Sequence, residues 1–156
     1  MAMAITSPEP PPTSRLQDAA RLVLGLGLAF AGTSHLAWAR TDFRAQVPGW
    51  VPLDVDLVVI LSGIVEIALG LALVLLAGRR VLLGLVAAAF FVAVFPGNVS
   101  QYVDGEAAFG LDSDLARLLR LPFQPVLVAW ALWSTGAWAW WQARRRSANG
   151  EGDDHG

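Results

Sequence analysis

Two residues able to hold or pass a proton stand out in an otherwise apolar chain: Glu66 and His35. Glu66 lies in "SGIVEIALG" (62–70), inside an apolar run over 57–77 that is otherwise broken only by Ser62 and the glycines at 63 and 70. A carboxyl in hydrocarbon is costly, so one retained there reads first as a functional group. The plainer reading is a neutral acid hydrogen-bonded to a neighbouring helix. His35 is the only histidine besides His155 of the C-terminal tail. It is either a packing residue or, if it meets Glu66, the partner in a proton relay. Asn98, Arg120 and Gln124 supply hydrogen-bonding groups that can bind a ligand's oxygens, tie helices together or sit among lipid headgroups. The candidate ligand-binding set is therefore His35, Glu66, Asn98, Arg120 and Gln124. No catalytic residue is assigned beyond the relay candidates Glu66 and His35, and the residues specify no reaction.

Composition removes several chemistries. The chain has 156 residues and no cysteine, which excludes a disulfide relay, a thiolate nucleophile, an iron–sulfur cluster, a zinc knuckle and a Cys-x-x-Cys-His haem attachment within it. With one of two histidines in the tail, a haem held by two histidines of one chain is not expected either. Neither a metal nor a covalently bound cofactor is expected. A net charge of −2 and the lack of a basic-aromatic patch give no reason to expect a nucleic-acid partner.

The elements that must carry these residues are membrane helices. Hydrophobic residues make up 55% of the chain and charged ones 15%, with a mean hydropathy of +0.52, beyond an ordinary soluble domain. Apolar runs over 22–38, 57–77, 81–94 and 125–141 reach, with their flanks, the roughly 20 residues that cross a bilayer. The expectation is an all-α bundle of four transmembrane helices over about 19–39, 56–78, 80–101 and 122–142. It forms one membrane domain over 17–143, between a disordered Pro-rich tail (1–16) and a polar C-terminal tail (144–156). "DSDLARLLRL" (112–121) reads as a short helix on the membrane surface before the fourth span. All basic residues are arginine; seven fall on the side of the termini and four on the other, which puts both termini in the cytoplasm of a multi-pass plasma-membrane protein. Ala37-Trp38-Ala39 competes as a signal-peptide cleavage site. The long apolar core, the proline-rich tail before it and bulky Trp38 argue against cleavage.

Depth follows from spacing. Glu66 lies about 13 Å into the hydrocarbon layer and His35 about 8 Å below its outer boundary. That difference of about 5 Å is within reach of the two side chains. A direct or single-water pairing is expected, with the two groups titrating as a unit. Glu66 shares a stripe with Ser62, Gly63 and Gly70, and Gly25, Leu28, Gly32 and His35 form a seam on the first helix. A second seam runs through Gly84, Ala88, Phe91, Phe95 and Asn98, and Pro96 frees the carbonyl of Val92. All unusual polar groups are expected in the outer half, and none in the inner half.

Five stretches carry a resemblance: "FAGTSHL" (30–36), Pro48-Gly49-Trp50-Val51-Pro52, "LSGIVEIALG" (61–70), "VAVFPGNV" (92–99) and "RLPFQ" (120–124). In order and spacing they resemble the small bacterial and archaeal membrane proteins of the DoxX family, over about residues 20–142. The resemblance implies a four-helix membrane bundle with cytoplasmic termini. It also implies matching positions at His35, Glu66, Asn98, Arg120 and Gln124, and an association with redox enzymes, the family being named after a subunit of a thiosulfate:quinone oxidoreductase.

The function expected is that of a redox-associated accessory membrane protein. An outer-half polar pocket would bind a quinone-like or other small amphipathic ligand, walled by Phe91 and Phe95. Its partners would be the lipid bilayer and a redox enzyme subunit, with room for self-association. One alternative is a non-catalytic assembly or binding subunit. The other is a small proton-coupled permease, disfavoured by the lack of a polar path through the inner half.

Overall fold

The computed structural model describes residues 10–105, 113, 115, 118 and 121–150. Among them there are helices and no strand: α1 (Arg15–Ala37), α2 (Arg40–Arg44), α3 (Val55–Leu75), α4 (Arg80–Val103), α5 (Phe123–Ser134) and α6 (Ala137–Gly150), with a 3₁₀ turn over Ala77–Arg79 before α4. Three stretches, Arg15–Ala37, Val55–Leu75 and Ala77–Val103, are long and apolar enough to cross a membrane, and they make the chain a membrane protein. The surface helix expected over 112–121 lies largely outside the described residues.

Local chemistry sets the helix ends. Ser14 and Gln17 close a reciprocal capping box at the start of α1, which opens inside the stretch read as tail. Asp54 accepts from the Leu57 amide at 3.0 Å and starts α3. The single fourth span expected over 122–142 is corrected: an apolar helix of 12 residues ends at Ser134, and a new helix starts at Ala137. At ~1.5 Å per residue, α5 alone covers about 18 Å and falls short of a hydrocarbon layer. Gly136 breaks the helix by taking a left-handed φ of 73°. Thr135, fully buried, donates to the Ala131 carbonyl at 2.7 Å and fills the space beside Gly84 of α4.

Two helix pairs build the bundle. α1 packs along α3, α4 packs along α5, and α1 meets α5 between the pairs; α3 and α4, although consecutive, touch sparingly. The α1–α3 seam is the closest contact. A Cβ on Gly63 would meet the Gly32 carbonyl at 2.9 Å, and a Cβ on Gly70 would run into the Gly25 carbonyl and the Ala29 backbone. Both glycine pairs are seven residues apart along their helices, so two antiparallel helices meet at matched heights. The core joins the two pairs through Leu24, Leu28, Leu69, Leu73, Ala88 and Phe91. Leu26, Phe30, Leu61, Ile64, Leu82, Val86, Val92 and Val126 are exposed and form an apolar outer surface suited to lipid.

The end of the bundle that holds the chain termini carries a buried charge, contrary to the expectation of no unusual polar group in that half. Arg21 is 6% exposed and donates through Nη1 to the carbonyl of Leu73, in the last turns of α3, where the helix dipole favours a cation. Gln17 donates to the Trp133 carbonyl at 2.8 Å, Trp130 to the Ala20 carbonyl at 3.0 Å, and Arg80 to the Pro11 carbonyl at 2.7 Å. These bonds tie α1 to α5, and the segment before α1 to α4, at this end of the bundle.

Candidate functional site

The heptad glycines decide where the polar side chains meet. His35 sits in the last turn of α1, three residues after Gly32, and Glu66 sits near the middle of α3, three residues after Gly63. α1 and α3 run antiparallel, so His35 and Glu66 step away from the Gly32–Gly63 contact in opposite directions, about 9 Å apart along the axis. The close backbone approach lets their side chains reach back across it: His35 Nε2 lies 3.6 Å from Glu66 Oε2. Both residues are buried, at 4% and 8% exposure. The expected pairing is present, at a separation longer than a hydrogen bond.

Neither group is saturated. Ser62, one turn earlier on α3, lies beside the Glu66 carboxyl, and the Val59 carbonyl lies by the His35 ring. Even so, Glu66 Oε2 and His35 Nδ1 make no hydrogen bond among the described residues. Buried polar atoms of native proteins are seldom left in that state, which singles these two out within the site.

The other candidates are committed to each other. Asn98 donates to Gln124 Oε1 at 3.1 Å, and Gln124 donates to the Phe91 carbonyl at 2.8 Å. This stitch ties α5 to α4 one turn before Pro96. The carbonyl used is that of Phe91, not Val92. Phe91 is 5% exposed and faces the interior, whereas Val92 is 60% exposed and faces outward. Arg120 lies outside the described residues.

Both polar pairs border one cavity of about 430 Å³, within the ~300–1,000 Å³ typical of small-molecule sites. Its polar end, at the loop end of the bundle, holds His35, Glu66, Ser62, Asn98, Gln124 and Gln46. Its body is apolar, lined by Leu24, Leu28, Phe90, Phe91, Leu127 and Trp130 among others. The cavity reaches the apolar outer surface at Val23 and Gly27, both exposed, and a Cβ on Gly27 would meet nothing. The aromatic wall is Phe90 with Phe91. Phe95 instead borders a separate, outward groove with Pro125 and Trp138.

Sequence reading missed the contribution of the 39–54 connection. Phe43 of α2 lies in ring contact with His35, and Gln46 reaches Gln101 of α4 at 3.4 Å. The connection presses on α4 where Gly97 has no side chain, since a Cβ there would strike the Gln46 carbonyl. A glycine directly after Pro96 inside a helix was the available signal. No group of three or more metal-ligating side chains occurs among the described residues.

The comparison with protein families is decisive for membership. The model of the family described as Domain of unknown function (DUF8561) matches residues 22–135, well over half of the chain. The chain belongs to the DUF8561 family. The DUF8561 match opens within α1 and closes at Thr135, where α5 breaks. It therefore includes the whole cavity, both polar pairs and Arg120. Comparisons with curated proteins and with solved structures returned no match.

Proposed function

We propose that this protein is an accessory subunit of a membrane redox system that holds a small amphipathic molecule, of the quinone type, within the bilayer. The observation that carries the reading is the form of the cavity. An apolar, partly aromatic body opens toward lipid and ends on two buried polar atoms, Glu66 Oε2 and His35 Nδ1, that make no hydrogen bond among the described residues. A head group that sets one oxygen against each of them, a quinone carbonyl or a quinol hydroxyl, satisfies both, while its tail leaves past Gly27. Asn98 and Gln124 line the pocket tied to each other, with Gln124 also held on the Phe91 carbonyl, which leaves them a smaller part in gripping the ligand than Glu66 and His35. The resemblance of "FAGTSHL", "LSGIVEIALG", "VAVFPGNV" and "RLPFQ" to DoxX-family segments supports the redox association. In the proposed topology α5 and α6 together make the fourth crossing, both termini are cytoplasmic and the membrane is the plasma membrane.

Native mass spectrometry of protein extracted in mild detergent tests the reading. A retained isoprenoid quinone or comparable amphiphile, lost in Glu66→Gln, is the expected result. Bulk phospholipid alone, unaltered by Glu66→Gln, overturns it. One observation favours a second reading: the closed Asn98–Gln124–Phe91 stitch is what a non-catalytic assembly subunit needs to keep a rigid face. Under that reading a protein partner is retained instead of a ligand.

A further inference from the structure

A second, smaller cavity of about 180 Å³ lies beneath the 39–54 connection, between α3 and α4, where those helices touch sparingly. Its walls are Pro48, Trp50 and Val51 from the connection and Val58, Ala93 and Gly97 from the helices. Five residues line both cavities: His35, Phe43, Gln46, Ser62 and Val94. The two spaces are thus separated only by side chains. The separating layer contains the histidine whose Nδ1 has no hydrogen bond among the described residues.

We propose that the smaller cavity is a water-side compartment of the same site, taking water and other small hydrophilic species from the loop face of the bundle. The amphiphile enters from lipid past Gly27, and water arrives beneath the connection; the two meet at the His35–Glu66 pair. This rests on the reading of the larger cavity as a ligand site. The arrangement follows from solvation. A polar atom buried in a membrane protein persists where it borders a water-filled space, and His35 lines the smaller cavity as well as the larger one, whereas Glu66 lines the larger alone. Phe43 and Gln46 form the partition, positioned by the seat of the connection on Gly97.

The cysteine-free chain makes the test direct. Single cysteines are placed at Ser62, Val51 and Gly27 in protein held in lipid nanodiscs and exposed to a sulfonated methanethiosulfonate, which does not enter lipid. Ser62→Cys is nearly isosteric, and a Cβ at Gly27 meets nothing, so the fold is retained; reaction with a lipophilic maleimide verifies each thiol. The expected result is labelling of Val51→Cys and Ser62→Cys, none of Gly27→Cys, and several-fold faster labelling of Ser62→Cys when Phe43→Ala is added. Failure of Ser62→Cys or Val51→Cys to react with the charged reagent overturns the proposal. So does labelling of Gly27→Cys at a rate like that of Ser62→Cys, because the reagent would then be arriving by the lateral mouth. Ligand retention is scored separately by mass, so a closed compartment leaves the binding reading standing.

Discussion

Gly32 of α1 and Gly63 of α3 face each other with no room for a Cβ between them, and His35 and Glu66 flank this contact on opposite sides, their side chains meeting across it. Each glycine is followed three residues later by its polar partner. The pair is therefore a consequence of backbone approach, not of attraction between the two groups, which stand 3.6 Å apart.

Overfilling that seam must separate the helices. A Cβ at Gly70 runs into backbone atoms of Gly25 and Ala29, which cannot rotate away as a side chain can. Gly70→Leu is expected to cost at least the ~1–3 kcal/mol of an overpacked core, read as a lower thermal midpoint in detergent. Gly27→Ala, with open space at its Cβ, is expected to leave the midpoint unchanged. An unchanged midpoint in Gly70→Leu would place that stripe against lipid.

Glu66 separates structure from binding. Glu66→Gln keeps size and most hydrogen-bonding capacity, so folding should be unaffected while ligand retention falls. Glu66→Leu removes a buried oxygen that has no hydrogen bond among the described residues, so its stability should equal or exceed that of the parent. Wild-type retention in Glu66→Gln would make the carboxyl a packing group.

The Gln124 stitch predicts a thermodynamic cycle. Gln124→Leu removes bonds to Asn98 and Phe91 and strands the buried Asn98 amide, a loss of about 1–3 kcal/mol. Adding Asn98→Leu removes the stranded group, so the double variant should lose less than the sum of the two single losses. Additive losses in chemical denaturation would show that the two amides do not act together.

Topology is open to fusion reporters. With both termini cytoplasmic, a periplasm-dependent reporter should be active after Gln46 and silent after Gly78. Activity at Gly78 inverts the arrangement.

Much of this molecule was legible in the order of its residues. Three long apolar runs, two of them with glycines seven positions apart, are enough to define membrane helices and the faces they bury, because periodicity records which side of a helix avoids lipid. The same spacing put Glu66 and His35 on the shared face, one on each side of the Gly32–Gly63 contact, because heptad glycines fix which faces of the two helices meet. Periodicity does not say which helix fills a given face or how a connection returns, and those relationships were settled only in three dimensions. Gln124 is spent on Asn98 and Phe91, the cavity wall is Phe90 instead of Phe95, and Phe43 and Gln46 are folded over the site by a connection that seats on α4 at the missing side chain of Gly97 and bonds to Gln101. The apolar run over 125–141 hid the turn at Thr135 and Gly136 for the same reason: apolarity reports the solvent a segment prefers, whereas a left-handed glycine beside a buried threonine is decided by the helix packed against it.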